Sequence, residues 1–253
     1  MSDGQVPPPI VASEAAFFLD LDGTLAPIVD DPAAARLDPT AASLLERLIA
    51  QTSGALAIVS GRSLTQLDAL LAPLRLPLAG SHGLELRRAD GGLFEAPELD
   101  YDMEEVFAQM RDFAHARDLL LERKPGAIAL HYRTAPAAAD ASMALVDEIA
   151  SRDDNLRALH GKMVSEVTLA GIDKGSALRS FMTLPAYRDQ RPVMVGDDVT
   201  DEDGFAAAQS LGGFGLKIGP GPSCAQYRVA TMEDFLTWLA AALDPAGSLS
   251  EGS

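Results

Sequence analysis

The sequence has almost no cysteine. Cys224 is the only one among 253 residues, so no intramolecular disulfide can form and a disulfide-stapled secreted domain is excluded. The N-terminal segment MSDGQVPPPIVAS has neither a basic region nor a long apolar core, unlike a secretion signal. A chain that needs no disulfide suits a reducing compartment, and we expect a cytoplasmic protein.

Long hydrophobic runs and basic residues are also scarce. No stretch approaches the ~18 apolar residues of a membrane-spanning helix. Lys and Arg number 20 against 37 Asp and Glu, a net charge of −17. Because such a chain repels phosphate backbones and anionic lipid, we expect neither nucleic acid nor a membrane as a partner. A small anionic substrate would need a local cluster of basic side chains or a metal ion.

Apolar strands alternate with amphipathic helices at both ends of the chain. AAFFLDL, ALAIVSGR and RPVMVGDD are typical of buried strands, and AASLLERLIAQT and GSALRSFMTL have helical spacing. This alternation predicts an α/β, doubly wound, mostly parallel Rossmann-like core. From about Tyr101 the pattern changes to two amphipathic helices and short strands, which predicts an inserted smaller α+β cap domain.

The predicted domain boundaries follow from these changes of pattern. The predicted segments are a flexible N-terminal arm over 1–14, a catalytic core over 15–102 and 172–243, a cap over 103–171 and a flexible tail over 244–253. We expect the protein to be a monomer.

Two aspartates stand where the first apolar strand ends, in FFLDLDGTL. Residues i and i+2 of a strand point to the same side, so Asp20 and Asp22 project together from its carboxyl end. Paired carboxylates repel each other unless a cation lies between them or one keeps a proton. The pair therefore indicates a hard divalent metal or an acid and a base, and polar residues that only close a strand are the structural alternative.

A second acidic cluster follows a later apolar strand, in PVMVGDDVTDEDGF. Five carboxylates lie within the seven positions from Asp197 to Asp203. Asp197 and Asp198, at the strand end, are candidate metal ligands. Asp201 and the acids after it also favour the positive end of the next helix, so both interpretations apply to this segment.

Groups that bind anions stand at two further places. The sequence SGR ends the second strand and offers the Ser60 hydroxyl, the Gly61 amide and the Arg62 guanidinium. Lys174 precedes the helix of GSALRSF, a position where a lysine taken alone is more often a solvated surface residue. Carboxylates for a metal, combined with a hydroxyl and an ammonium group for an anion, suit phosphoryl transfer.

DLDGTL, SGR, Lys174 and GDDVTDED, in this order, resemble the four motifs of the haloacid dehalogenase superfamily of phosphohydrolases. The likeness covers the α/β core from about Ala15 to Leu243. It implies that Asp20 is a nucleophile that forms an aspartyl-phosphate and that Asp22 is the general acid and then the general base. It also implies that Ser60 and Lys174 hold the phosphoryl oxygens.

The same resemblance implies a Mg²⁺ site. Asp20, the main-chain carbonyl of Asp22, and Asp197 would bind the ion, with Asp198 and Asp201 nearby in supporting roles. The chemistry agrees with this division, because a metal keeps Asp20 ionised and nucleophilic. Asp22 can retain a proton only if its carboxylate does not coordinate the ion directly.

The predicted cap carries charged residues on its strands. Glu122 and Lys124 share one strand face, and on the next strand Arg133 shares a face with His131. Glu166, in the extended segment GKMVSEV, adds another acid. Such a set suits hydrogen bonds to the hydroxyls of a sugar, and the solvated outer face of a sheet is the alternative interpretation.

GSHGLELR, together with ERKPGAIALHYR, GKMVSEV and GDDVTDED, resembles the trehalose-6-phosphate phosphatase family within this superfamily. The resemblance implies a Mg²⁺-dependent hydrolysis of trehalose 6-phosphate, a sugar phosphate, to trehalose and phosphate. The implied sugar contacts are Glu122, Lys124, Arg133 and Glu166, and the implied core side of the substrate site is formed by Gly61, Arg62, Gly80, His82 and Gly83.

Two alternatives stay open at this point. One is a phosphatase of the same superfamily for another sugar phosphate, such as sucrose 6-phosphate or mannosyl-3-phosphoglycerate, which the cap residues would distinguish. The other is a catalytically silent sensor of sugar phosphates, against which the intact nucleophile, acid and metal cluster argue.

Overall fold

The computed structural model describes residues 5–29, 34–94, 102–161 and 163–244. Within these ranges the chain forms two compact units. Unit 1 contains the residues up to Phe94 and those from Lys174 onward, and unit 2 contains the residues between them. Among the described helices, none has the length and apolar character needed to span a bilayer.

Strands and helices are numbered in chain order. The strands are β1 (Ala15–Leu19), β2 (Leu56–Val59), β3 (Leu78–Gly80), β4 (Glu85–Arg87), β5 (Leu120–Lys124), β6 (Ala127–His131), β7 (Leu156–Gly161), β8 (Val164–Leu169), β9 (Arg191–Gly196), β10 (Phe214–Ile218) and β11 (Tyr227–Val229). The helices are α1 (Pro39–Gln51), α2 (Leu64–Leu71), α3 (Glu104–His115), α4 (Ala139–Ala150), α5 (Lys174–Met182), α6 (Glu202–Ser210) and α7 (Met232–Leu243).

Unit 1 is built on a seven-stranded sheet with the strand order β11-β10-β9-β1-β2-β3-β4. All neighbouring strands in it are parallel except β3 and β4, which pair antiparallel at one edge. The central strand β1 lies between β2 and β9, so the strand order reverses there. The prediction of a doubly wound, mostly parallel α/β core is confirmed.

Helices cover both faces of this sheet, and the alternation of side chains along β1 shows why. All five residues of β1 are buried, as expected for a strand in the middle of a parallel sheet. Phe17 and Leu19 pack on one face with residues of α1, α2 and α7. Ala16 and Phe18 pack on the other face with residues of α5 and α6. The sheet is therefore held between two apolar layers.

Unit 2 is an antiparallel sheet with the order β5-β6-β8-β7. Helix α3 contacts β5 and β6, and helix α4 contacts β7 and β8. On β6, Ile128 and Leu130 join the apolar cluster with side chains of both helices, among them Met110 and Val146. Because side chains alternate along a strand, Ala129 and His131 lie on the opposite face. The α+β character predicted for the inserted segment is confirmed.

Residues 5–14 belong to the segment predicted as a flexible arm, yet they contact other parts of unit 1. The indole Nε1 of Trp238 donates a hydrogen bond to the main-chain oxygen of Pro8 at 3.0 Å. Gln5 forms a β-bridge with Tyr227, and Ala12 is part of the core. The composition did not indicate these contacts, because a proline-rich segment has no apolar periodicity. Residues 1–4 of the predicted arm and 245–253 of the predicted tail lie outside the described residues.

The substitution Phe18→Ala tests the packing of this core. The Phe18 ring is fully buried, and its centroid lies 5.7 Å from that of Tyr187 and 6.3 Å from that of Phe181. We expect the free energy of unfolding of unit 1 to fall by about 3–5 kcal/mol, because the lost ring leaves a cavity. Urea unfolding followed by the fluorescence of Trp238, the single tryptophan, measures it.

The control variant is Val6→Ala, at a side chain that is 84% exposed. It should change the free energy of unfolding by less than about 0.5 kcal/mol. A loss for Phe18→Ala that is no larger than this would contradict the packing described.

Candidate active site

The polar residues that the sequence singled out in unit 1 lie at the carboxyl ends of neighbouring strands. Asp20 follows β1, Ser60 follows β2, Gly80 ends β3 and Asp197 follows β9. These four strands are parallel neighbours in the sheet. Their carboxyl ends therefore meet at one end of the sheet, beside the reversal of strand order at β1, where α/β proteins place their sites.

A buried lysine joins two carboxylates at this position. Nζ of Lys174, the first residue of α5, donates to Oδ1 of Asp20 and to Oδ1 of Asp201, each at 2.6 Å. The Lys174 side chain is 2% exposed, and those of Asp20 and Asp201 are 7% and 0% exposed. The charges of these three groups are therefore stabilised by one another and have little contact with water.

The surroundings shift the pKa values of Lys174 and Asp20. Burial would lower the pKa of Lys174, but the charges of Asp20 and Asp201 outweigh it and raise that pKa, so the ammonium group stays charged. Burial raises the pKa of Asp20 well above its usual range, and Lys174 opposes this. The neighbouring charges of Asp201 and Asp197 raise the pKa of Asp20 further. A cation beside Asp20 would favour its ionised form.

Three carboxylates lie close enough together to share a cation. One oxygen from each of Asp20, Asp197 and Asp201 lies within 4.8 Å of the others. Oδ1 of Asp197 is buried and accepts no hydrogen bond from the described residues. Burial, together with the charges of Asp201 and Asp198, raises the pKa of Asp197 to about 6. A buried, unsatisfied oxygen among hard oxygen donors fits a divalent cation such as Mg²⁺.

Asp198 does not lie in this group, although the sequence analysis placed it among the metal-binding residues. It is exposed, and its main-chain nitrogen donates to Oδ2 of Asp201 at 2.9 Å. The turn that follows β9 directs Asp201 inward instead. The Asp22 carboxylate is also outside the group, and the predicted contribution of Asp22 through its main-chain carbonyl stays a prediction.

Two glycines let these carboxylates approach the main chain. At Gly23, which has φ of +87°, a Cβ atom would collide with the carboxylate of Asp197. At Gly196, a Cβ atom would collide with the carboxylate of Asp201. The glycines of the DGT and GDD segments are thus required by close packing at the site, and at Gly23 by the left-handed backbone as well.

Asp22 is held differently from Asp20. Nε of Arg62 donates to Oδ2 of Asp22 at 2.7 Å, and an Arg62 terminal nitrogen donates to Oδ1 at 2.6 Å. The hydrogen bond to Asp22 raises the pKa of Arg62. The Asp22 side chain is 38% exposed. Asp20 is therefore buried beside a lysine, whereas Asp22 is partly solvated and paired with an arginine.

The SGR loop is joined to the segment after β3. The main-chain nitrogens of Ser81 and His82 donate to the carbonyl oxygens of Arg62 and Ser60 at 2.8 and 3.0 Å. Ser81 and His82 have φ of 49° and 57°, a left-handed conformation that costs about 1–3 kcal/mol for each residue with a side chain. A Cβ at Gly61 would lie 2.6 Å from the His82 ring, so the imidazole packs on the Gly61 main chain.

Two glycines complete these joined loops. A Cβ at Gly80 would lie 2.9 Å from the carbonyl oxygen of Arg62, so the loops touch through main-chain atoms there. Gly83 has φ of 111°, which a residue with a side chain rarely adopts. The structure thus brings together the predicted loop residues Ser60, Gly61, Arg62, Gly80, His82 and Gly83.

Lys217 is a site residue that the sequence analysis did not single out. It lies on β10, is 4% exposed, and its Nζ donates to the main-chain oxygen of Asp197. The sequence did contain a signal for it, since Lys217 lies inside the apolar run FGLKIG of a predicted buried strand. A buried ammonium group requires an acceptor, so this lysine could have been expected to bond a neighbouring polar group. Asp201 was noted only in a supporting role, and the structure makes it the fully buried partner of Lys174.

In unit 2, three of the predicted sugar contacts form one charge network. Nζ of Lys124 donates to Oε1 of Glu166 at 2.7 Å and lies 3.8 Å from Oε2 of Glu122. Nε2 of His131 lies 2.9 Å from the same Glu122 oxygen. Glu122 on β5 and Glu166 on β8 both pair with Ala129 of β6, so the two acids flank one position of the sheet.

Two features of this charged face bear on its role. Glu166 is buried, and its Oε2 accepts no hydrogen bond from the described residues. A buried carboxylate oxygen with unused acceptor capacity is unlike a solvated outer face and fits a hydroxyl donor. Arg133, the fourth predicted contact, is exposed and lies after the end of β6.

Comparisons with known proteins agree with this architecture. The family model for trehalose-phosphatase matches residues 18–231. A trehalose-6-phosphate phosphatase of Escherichia coli is 39% identical over 232 residues, which cover 91% of this chain and 87% of that protein. A probable trehalose-phosphate phosphatase of Sinorhizobium fredii is 38% identical and covers 81% and 78% of the two chains.

Solved structures share the fold. The C-terminal domain of Candida albicans trehalose-6-phosphate phosphatase superposes with a TM-score of 0.82 at 21% identity, over 96% of this chain and 99% of that one. A haloacid dehalogenase-like hydrolase of B. subtilis superposes with a TM-score of 0.65 at 12% identity, over 90% and 99%. This chain therefore has the same fold as these proteins. By its match over most of its length, this chain belongs to the trehalose-phosphatase family.

Proposed function

We propose that this protein hydrolyses trehalose 6-phosphate to trehalose and inorganic phosphate, with Mg²⁺ as its cofactor. The observation that carries the proposal is the buried Asp20, bonded to Lys174 and grouped with Asp197 and Asp201 at the strand ends. Membership of the trehalose-phosphatase family, whose relatives are named for this substrate, supports the choice of ester.

Asp20 is the proposed nucleophile. A carboxylate oxygen of Asp20 attacks phosphorus, the bond between phosphorus and the sugar oxygen breaks, and an aspartyl-phosphate forms. Thr24 Oγ1 lies 3.5 Å from Oδ2 of Asp20, and Lys174 donates to Oδ1, so the carboxylate is oriented from both sides. Burial excludes bulk water from this group and strengthens the electrostatic interactions around it.

Asp22 is the proposed general acid and base. It protonates the leaving sugar oxygen, and in the second step it takes a proton from the water that attacks the phosphorus of the aspartyl-phosphate. The bond between phosphorus and the Asp20 oxygen then breaks, which releases inorganic phosphate and restores the Asp20 carboxylate. A carboxylate held by both Arg62 nitrogens accepts hydrogen bonds and has none to donate. Proton donation therefore requires Arg62 to release Asp22, and the phosphoryl oxygens of the substrate are an alternative partner for the guanidinium.

The remaining groups at the strand ends hold the phosphoryl oxygens and the metal. Ser60 and Lys174 are proposed to bind the oxygens, with the main chain of Gly61. Asp20, Asp197 and the carbonyl of Asp22 are proposed to hold Mg²⁺, with Asp201 oriented by Lys174 beside them. When bound, Mg²⁺ supplies positive charge that offsets the negative charge of the phosphoryl group and of the carboxylates.

Charged residues of unit 2 are proposed to recognise the sugar. Glu122, Lys124 and Glu166 present acceptors and a donor within one network, and Oε2 of Glu166 has acceptor capacity left. Arg133 adds an exposed guanidinium. Sugar hydroxyls both donate and accept, so a face with both kinds of group can discriminate a disaccharide phosphate from a small ester. On the core side, Arg62, Gly80, His82 and Gly83 are proposed to line the substrate.

A panel of phosphate esters tests the proposed function. Phosphate release is measured with Mg²⁺ and with EDTA on trehalose 6-phosphate, sucrose 6-phosphate, glucose 6-phosphate, mannosyl-3-phosphoglycerate and p-nitrophenyl phosphate. A Mg²⁺-dependent preference for trehalose 6-phosphate is expected. Preference for another ester would overturn the substrate, and no release from any ester would overturn the catalytic role and favour a silent sensor.

Asp20→Asn should reduce kcat for trehalose 6-phosphate by about 10³-fold or more, because the amide cannot form the covalent intermediate. Steady-state phosphate release measures the loss. Asp189→Asn, at an exposed aspartate of unit 1, is the matched control and should keep wild-type activity. Comparable activity in the two variants would remove Asp20 as the nucleophile.

Asp197→Asn should raise the Mg²⁺ concentration for half-maximal activity by about tenfold or more, because a charged ligand is lost. Asp198→Asn should have a much smaller effect, since the Asp198 side chain lies outside the acidic group. Activity titrated against Mg²⁺ gives both values. A larger shift for Asp198→Asn than for Asp197→Asn would show that the acidic group is not the metal site.

Arg133→Ala should lower kcat/KM for trehalose 6-phosphate by about tenfold, the expected loss of one charged hydrogen bond. The same variant should leave kcat/KM for p-nitrophenyl phosphate nearly unchanged, because that ester has no sugar. Arg111→Ala, at an exposed arginine of α3, is the control. Equal losses on the two esters would contradict a role of Arg133 in sugar recognition.

A further inference from the structure

Glu85 touches both of the loops that carry the anion-binding motifs of unit 1. Its Oε2 accepts a hydrogen bond from Ser81 Oγ at 2.7 Å. The same oxygen accepts from the main-chain nitrogen of Leu64 at 3.4 Å. Leu64 is the first residue of α2, directly after the SGR loop and its capping residue Ser63. One carboxylate thus connects the segment after β2 with the segment after β3.

The segment after β3 that Glu85 contacts has an unfavourable backbone conformation. Ser81 and His82 are consecutive residues with side chains in the left-handed region. Such a conformation persists only when surrounding interactions hold it, and it is found at functional sites. The bond from Ser81 Oγ to Glu85 fixes the side chain of the first of these residues.

The conformation of Ser81 decides where the next side chain lies. The His82 imidazole packs directly on the main chain of Gly61, between Ser60 and Arg62. A change in the Ser81 backbone would move the imidazole away from this place. Glu85 touches none of the catalytic aspartates in the bonds described, so its influence on the site passes through Ser81 and His82.

We propose that Glu85 is a positioning residue that holds His82 against Gly61, in the place where His82 helps to recognise the sugar phosphate. The sugar-recognition part of this inference rests on the proposed function. The placement of His82 does not depend on it. A purely structural glutamate would instead contribute only to the stability of unit 1.

The kinetic experiment compares Glu85→Ala, Glu85→Gln and the control Glu46→Ala, an exposed glutamate of α1. For Glu85→Ala, KM for trehalose 6-phosphate should rise by between about tenfold and a hundredfold, the effect of a displaced binding group. The kcat/KM for p-nitrophenyl phosphate should change far less. Glu85→Gln keeps an acceptor for Ser81 and should recover most of the loss, and Glu46→Ala should behave as wild type.

A spectroscopic experiment follows His82 itself. The chain has four histidines, so the imidazole signals of protein labelled with [¹⁵N]histidine are few, and His82→Gln identifies the one that belongs to His82. Glu85→Ala should shift the His82 signal and leave those of His115, His131 and His160 in place. Ser81→Ala, which removes only the donated hydrogen bond, should shift the same signal and provides the test if Glu85→Ala does not fold.

The two readouts separate the possible outcomes. An unchanged His82 signal in both Glu85→Ala and Ser81→Ala would overturn the proposal. A lower melting temperature with equal kinetic losses on both esters would also overturn it, because the role of Glu85 would then be structural. If the wild-type protein does not hydrolyse trehalose 6-phosphate, the proposed function fails, and the His82 signal still decides whether Glu85 positions this residue.

Discussion

The buried ammonium group of Lys174 forms ion pairs with Asp20 and Asp201, and the arrangement of the other site residues depends on these two ion pairs. Taking charges out of water is costly, and removing one partner of a buried ion pair costs about 3–5 kcal/mol. The distances of 2.6 Å on both sides show how tightly this lysine compensates the two carboxylates. The end of β1, the start of α5 and the turn after β9 must therefore meet at one point, which only the complete doubly wound fold provides.

Further acidic groups accumulate around that ion pair. Asp197 adds a third carboxylate, and its main-chain oxygen accepts from the buried Lys217. Gly23 and Gly196 allow the acids to touch the main chain, so the glycines of the two motifs and the carboxylates form one packed arrangement. Within the part of the chain that the structure describes, Oδ1 of Asp197 accepts no hydrogen bond. In a chain with a net charge of −17, this local excess of acids suits a cation that can attract a phosphate ester.

The two aspartates of the first motif show how the environment separates chemically equal side chains. Asp20 is buried beside Lys174, whereas Asp22 is partly exposed and accepts hydrogen bonds from two guanidinium nitrogens of Arg62. Covalent phosphoryl transfer requires one carboxylate that attacks and another that moves protons, and the different surroundings of the pair support this division. In unit 2, the buried Glu166 and its partner Lys124 form a charged face whose remaining acceptor capacity suits sugar hydroxyls.

Four features could be predicted from the order of the amino acids: the α/β class, the inserted α+β segment, the family, and the strand-end placement of Asp20, Ser60 and Asp197. These features depend on local periodicity and on short motifs, which can be recognised without tertiary contacts. Three further features are seen only in the folded chain: Asp201 rather than Asp198 joins the acidic group, Lys217 is buried against Asp197, and Glu85 connects two loops. Each of these is a contact between residues of different elements or within an irregular turn, where side-chain direction depends on backbone angles that no sequence period specifies.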